Sequence, residues 1–251
     1  MTPETEIPEG TLALGAPAKV RGPLAGTPAG ALGARQSRRL PGARAAPRGL
    51  GPALLTPWRH RSASRFFVFP RLTLLDLIGA YDALRRIAAM SIDSSVTHRI
   101  IGTEAEIVDE SGLDAQARRG VRRPRGLRPL YVAGGLGTVA LMDNRRAIDY
   151  LKTWGDERPL ASVCSGALLL GRAGYLRDKR ATTHHLAVEL LRPLCREVVT
   201  NRRVVDEGRV VTAGGVSSSL DLGLYLVEKY WGTDARVRIA NQMEYRGYSP
   251  A

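Results

Sequence analysis

Cys164 stands between the apolar run Leu160-Ala161-Ser162-Val163 and Ser165-Gly166, after which Ala167-Leu168-Leu169-Leu170 begins a second apolar run of helical character. A strand, a sharp turn and a helix with a thiol at the corner project the sulfur over the C-terminal edge of a sheet. There the free N–H groups and positive dipole end of the next helix favour a thiolate. The chemistry such a group performs is nucleophilic attack; the plainer reading is a small buried cysteine. Two glycine turns accompany it, Ala133-Gly134-Gly135-Leu136-Gly137 and Ala213-Gly214-Gly215. Glycine lets backbone N–H groups come close to a ligand, and those of Gly135 and Ser165 could converge on charge developing beside the Cys164 sulfur. The first turn also fits a degenerate dinucleotide fingerprint, Gly135-x-Gly137-x-x-Ala140. The acids about 20 residues further on, Asp156 and Glu157, fall before the next strand instead of at its end, so they are misplaced to hold a ribose. The chain has two cysteines, Cys164 and Cys195, without C-x-x-C or zinc spacing.

The elements that must position these groups alternate between short apolar runs and helical ones. Strands are expected at Phe66 to Phe69, Val96 to Ile101, Ala105 to Val108, Leu130 to Ala133 and Leu160 to Val163. Helices are expected at Leu75 to Met90, Ala140 to Trp154, Ala167 to Ala173 and His185 to Leu191. A hairpin-like region follows, with Val198 to Thr200 and Arg203 to Val205 against Arg209 to Ala213, and then helices at about Ser218 to Tyr230 and Thr233 to Tyr245. This rhythm predicts an α/β fold, a flavodoxin-like three-layer α/β/α sandwich with a mainly parallel sheet and a nucleophile elbow. Ligands of such sheets bind beyond the C-terminal strand ends, where Cys164 lies.

Residues 1–64 differ from the remainder of the 251-residue chain. They hold nine of the fifteen prolines and nine Lys or Arg against three acids, with no apolar periodicity, which predicts a disordered basic extension. The net charge of +13 is concentrated there and in the six arginines of Arg118 to Arg128, leaving about +1 for everything else. A groove-reading domain gathers its Lys and Arg on one structured face, so no nucleic-acid partner is expected. No apolar stretch approaches the roughly 20 residues of a membrane span. A soluble, reduced, cytoplasmic protein is expected, with a folded domain over 65–247 and a short tail at 248–251.

Four motifs then occur in order: Phe69-Pro70-x-Leu72-Thr73-Leu74-Leu75-Asp76-Leu77-Ile78-Gly79, Gly134-Gly135-Leu136-Gly137-Thr138, Ser162-Val163-Cys164-Ser165-Gly166 running on to Arg180-Ala181-Thr182-Thr183-His184, and Thr212-Ala213-Gly214-Gly215 with Leu220-Asp221-Leu222. Together they resemble the ThiJ/PfpI superfamily, which has the class I glutamine amidotransferase-like fold, and most of all its isonitrile hydratase branch. The resemblance implies a catalytic cysteine at Cys164 and an essential carboxylate at Asp76. It implies a second carboxylate after the glycine turn, at Asp143 or, one residue on, a non-acidic Asn144, and a site position at His184. It implies no metal or organic cofactor, a small-molecule substrate and a homodimer.

The chain also departs from the pattern. Ser165 stands where PfpI-type peptidases carry a histidine, which removes the base that peptide cleavage needs. Asp76 is one methylene shorter than the glutamate of the deglycase and glyoxalase branch. Ala80 and Ala133 replace prolines, His185 replaces a pocket tryptophan, and the Arg- and Gly-rich run 116–128 replaces an acid-bearing lead into the central strand. The expected activity is hydration of an isonitrile to an N-substituted formamide. A ligand- or oxidant-sensing domain without turnover, or a glyoxalase or deglycase, are the alternatives.

Overall fold

In a computed structural model the described residues are 11–14, 19–23, 63–116, 118–119 and 129–250. The chain divides into two units, Met1–Pro52 and Ala53–Ala251. In the first, strand β1 (Thr11–Leu14) pairs antiparallel with β2 (Lys19–Pro23). Of the extension expected to be disordered over 1–64, Ala63 and Ser64 are instead the first residues of a sheet strand, and the rest, apart from β1 and β2, falls outside the described residues.

The second unit is a doubly flanked sheet. In chain order it comprises β3 (Ala63–Val68), α1 (Leu74–Ala89), β4 (Thr97–Gly102), β5 (Glu106–Val108), β6 (Asp114–Gln116), β7 (Arg118–Arg119), β8 (Leu130–Val132), α2 (Thr138–Met142), α3 (Arg145–Lys152), β9 (Leu160–Val163) and α4 (Gly166–Arg172). It continues with β10 (Arg180–Ala181), α5 (Val188–Leu191), β11 (Glu197–Val198), β12 (Val204–Glu207), β13 (Val210–Ala213), α6 (Ser218–Trp231) and α7 (Thr233–Gln242). The main sheet has seven strands in the order β12-β13-β9-β8-β3-β4-β7, parallel throughout except for the β12–β13 hairpin at its edge. Helices α1, α6 and α7 pack together, as do α2, α3 and α4. The sheet between them is covered on both faces and largely apolar: every residue of β8, β9 and β13 is buried, Ser162 and Thr212 being the polar exceptions with the hydroxyl of Tyr131. The α/β/α architecture matches the expectation.

Register carries the site. Val132 lies beside Ser162, Ser162 beside Thr212 and Val163 beside Ala213, so β8, β9 and β13 end level with one another. The three loops that follow, with the loop from β3 to α1, share one edge. Asp76 in the first turn of α1, the Gly134–Gly135 turn, Cys164 and Gly214 are thereby neighbours despite their separation in sequence.

Three details differ from the sequence reading. The single helix expected over Ala140 to Trp154 is two, because Asn144 is extended (φ −78, ψ 99) and its side chain accepts the Ala147 N–H at 3.1 Å, the geometry of a strong N-cap. The expected strand at 105–108 is β5, and it pairs with β6 in a separate ribbon instead of joining the main sheet. Residues 248–250 are bound to the domain: Ser249 N–H donates to buried Asp221 at 3.1 Å, Val204 N–H to Pro250 O at 3.0 Å and Tyr248 OH to Glu228 at 2.8 Å. Among the described residues, no helix is long and apolar enough to cross a membrane.

Candidate active site

Cys164 follows β9 directly and has φ +54, a conformation that costs a side-chain-bearing residue about 1–2 kcal/mol. Three hydrogen bonds hold it there. Its N–H is shared between Ala213 O at 3.0 Å and Gly214 O at 2.9 Å, and its carbonyl accepts the Thr183 hydroxyl at 2.8 Å. The neighbouring strand end and the Thr182-Thr183 segment thus brace the elbow, which leaves the thiol 6% exposed at the sheet edge.

Asp76 is fully buried in the first turn of α1. Its Oδ2 accepts the Gly134 N–H at 3.1 Å, and its own carbonyl accepts the buried Tyr131 hydroxyl at 2.5 Å. Gly134 is the wedge that joins the two reactive groups. A Cβ at this position would fall 2.8 Å from Asp76 Oδ2, 2.8 Å from Cys164 Cβ and 2.7 Å from Ser165 N, so only glycine lets the elbow and the helix start close around it. Asp76 Oδ1 takes no hydrogen bond of normal geometry, yet the Cys164 thiol is near enough to act on the carboxyl's proton affinity.

Burial dominates the electrostatics. It pushes Asp76 from 3.8 up to about 7, with a small further rise from Glu110, against the opposing pull of Cys164 and the Gly134 N–H. Burial and then the Asp76 charge push the Cys164 thiol up to about 12, outweighing the Ser165 N–H and hydroxyl beside it. Both shifts run against the resting thiolate expected from the helix dipole: burial and the Asp76 charge favour a protonated sulfur, and burial raises the proton affinity of the carboxyl beside it. That arrangement suits concerted work, in which Asp76 takes the proton from sulfur as sulfur attacks and returns it to the adduct.

The other expected site residues are placed differently. Ser165 is in position, but its hydroxyl accepts the Gly135 N–H at 3.0 Å, donates to Gly135 O at 3.2 Å and lies 2.9 Å from the Thr138 hydroxyl. The Gly135 N–H is thus consumed inside the protein, and of the expected pair of charge-stabilising donors only the Ser165 N–H remains by the sulfur. Asp143 is outside the site altogether. It ends α2 with its side chain 86% exposed, in an ion pair with Arg172 at 3.5 Å, because the helix break at Asn144 turns it to solvent. His184 sits across the β13 turn: its Nδ1 accepts the Leu186 N–H at 3.3 Å, its ring lies 4.2 Å from that of His185, and burial with that neighbour lowers its pKa. It makes no hydrogen bond to Cys164.

Sequence reasoning missed Glu110. The β5–β6 ribbon folds back so that Glu110 N–H donates to Leu72 O at 3.1 Å and Glu110 Oε1 accepts the Thr73 hydroxyl at 3.1 Å, which brings a second carboxylate to the start of α1. No local signal announces that pairing. Among the described residues, no cluster of His, Cys, Asp or Glu could hold a metal ion. A cavity of about 590 Å³, lined by Phe69, Arg71, Leu136 and Tyr150 among others, is bordered by neither Cys164 nor Asp76.

The sequence profile described as the DJ-1/PfpI family matches residues 65–229. Over 186 residues the chain is 31% identical to the isonitrile hydratase of Pseudomonas putida, covering 74% of this chain and 79% of that protein. It is 22% identical over 191 residues to the HTH-type transcriptional regulator GbdR of Pseudomonas aeruginosa, covering 74% of this chain and 52% of the regulator. Among solved structures, a ThiJ/PfpI family protein from Pseudomonas syringae superposes with a TM-score of 0.67 at 24% identity, over 82% of this chain and 84% of that one, which shows the shared fold.

Proposed function

The chain belongs to the DJ-1/PfpI family, and on that premise we propose that it is a cofactor-independent, cysteine-dependent enzyme that adds water to an isonitrile. The observation that carries this reading is the Cys164–Asp76 pair closed around Gly134. In the first step the sulfur of Cys164 bonds to the terminal isonitrile carbon while its proton passes to the Asp76 carboxylate. Asp76 then protonates that same carbon, giving a thioimidate held by the Ser165 N–H. In the second step water attacks the thioimidate carbon, nitrogen gains a proton, the C–S bond breaks and the thiol is restored. The sum is isonitrile plus water to N-substituted formamide. A carboxyl near 7 is matched to both directions of proton transfer at neutral pH.

The test is formation of N-cyclohexylformamide from cyclohexyl isocyanide, by wild type and by Cys164→Ala. Turnover by wild type alone supports the reading, and turnover retained in Cys164→Ala sinks it. The reading includes a cytoplasmic location and a homodimer, the homodimer being supported by the exposed apolar side chains Leu75 and Ile78 on α1 and Leu136 and Val139 near the start of α2. Light scattering on the purified protein checks the dimer. A second reading, ligand sensing without turnover, is favoured by the likeness to GbdR. It predicts saturable binding with no product, whereas consumption of methylglyoxal would point to the glyoxalase alternative.

A further inference from the structure

A cavity of about 480 Å³ opens against the backbone of the elbow, and its walls carry donors and positive charge without a carboxylate. Gly214, whose carbonyl receives the Cys164 N–H, and Thr183, whose hydroxyl reaches the Cys164 carbonyl, both line it. His184 is one wall. Because its Nδ1 accepts the Leu186 N–H, its proton belongs on Nε2, and its lowered pKa keeps the ring neutral at pH 7, a donor and not a base.

Arg203 and Arg202 also line the cavity. Arg203 is fixed by Nε donating to Asp221 Oδ2 at 2.6 Å and Nη2 donating to Ser217 Oγ at 3.2 Å. Asp221 is fully buried, with its other oxygen occupied by Tyr245 OH and Ser249 N–H, each at 3.1 Å, so it neutralises Arg203 without facing the cavity. Arg202 is exposed and has no ion pair among the described residues. It borders this cavity and also a neighbouring groove that contains Asp206. The carboxylates near the sulfur, Asp76 and Glu110, stand on the α1 side instead.

We infer that this cavity is a subsite for an anionic substituent, a carboxylate or a phosphate, carried by the compound that reacts at Cys164. The inference rests on Cys164 being the reacting group. Acids on one flank and arginine on the other orient such a ligand, with its charged end at Arg202 and its reacting carbon at the sulfur.

The experiment compares labelling of Cys164 in the full chain by N-ethylmaleimide and by maleimidopropionate, the same electrophile with and without a carboxylate. Mercaptoethanol supplies the intrinsic rate ratio. The expected result is a ratio at least about threefold in favour of the carboxylate reagent over mercaptoethanol, falling with ionic strength and in Arg202→Gln. Acetate and inorganic phosphate, added at matched ionic strength, identify the preferred anion by which one slows labelling. A ratio equal to that of mercaptoethanol, or one unchanged in Arg202→Gln, overturns the subsite while leaving the enzyme reading intact. No labelling of Cys164 by either reagent in the folded protein overturns both.

Discussion

Replacing Asp76 by Asn should stabilise the protein with rising pH while abolishing turnover. The carboxyl moves from 3.8 in the unfolded chain to about 7 in the fold because burial disfavours its charge. Below 3.8 both states hold the proton and there is no penalty. As pH rises from there to about 7 the unfolded chain ionises first, so stability falls; above 7 both states are ionised and the cost is complete, about 4 kcal/mol at roughly 1.4 kcal/mol per pH unit. Asn does not titrate, so the penalty vanishes in the variant. Relative to wild type, Asp76→Asn should gain about 2–3 kcal/mol between pH 5 and pH 8. Urea denaturation at the two pH values, followed by tryptophan fluorescence, to which the buried Trp154 contributes, reads this as a midpoint difference that widens with pH. A midpoint difference that stays constant, or that turns against the variant at pH 8, refutes the claim that the fold holds a strained carboxyl at this position.

Other substitutions probe the surrounding parts. Gly134→Ala forces a Cβ to within 2.8 Å of Asp76 Oδ2 and Cys164 Cβ, and should cost at least about 2 kcal/mol in denaturation and eliminate hydratase turnover. Glu110→Gln removes a charge that raises Asp76, so the pH at which Asp76 controls the rate should move down, read from the pH dependence of turnover. Asn144→Ala deletes the cap of α3 and should lower stability by about 1 kcal/mol without altering Cys164 labelling, since the residue is outside the site. Asp143→Asn, for the same reason, should retain wild-type turnover.

The elbow was legible in the sequence because each of its signals is local: an apolar strand, a cysteine, a small pair and an apolar helix. The Gly134–Gly135 turn was legible for the same reason, whereas Asp76, by itself an ordinary helix-start acid, stood out only through the family resemblance; parallel-sheet topology brings all three to one edge. Asp143 is expected as a site carboxylate only from the family resemblance; the structure turns it to solvent because Asn144 beside it caps a new helix, a capping residue that was itself visible in the sequence. The Gly135 N–H could not be assigned from spacing, since the Ser165 hydroxyl that engages it comes from another strand's loop. Glu110 and the anchoring of the C-terminal residues on Asp221 depend on tertiary pairings with no periodic or compositional trace. The dipole argument for a Cys164 thiolate is local, whereas the desolvation and the Asp76 charge that push the thiol up arise only once the chain is folded.

The central claim is that Cys164 rests as a thiol whose proton affinity is set by burial and by Asp76. Its most direct test is the rate of Cys164 alkylation by iodoacetamide against pH, in wild type and in Asp76→Asn, with the labelled peptide quantified by mass spectrometry. The account predicts a wild-type rate still rising beyond the ordinary thiol value of about 8.5, and a profile displaced to lower pH in Asp76→Asn because the neighbouring negative charge is gone. A wild-type thiol that titrates at or below the ordinary value, or two profiles that coincide, would contradict it.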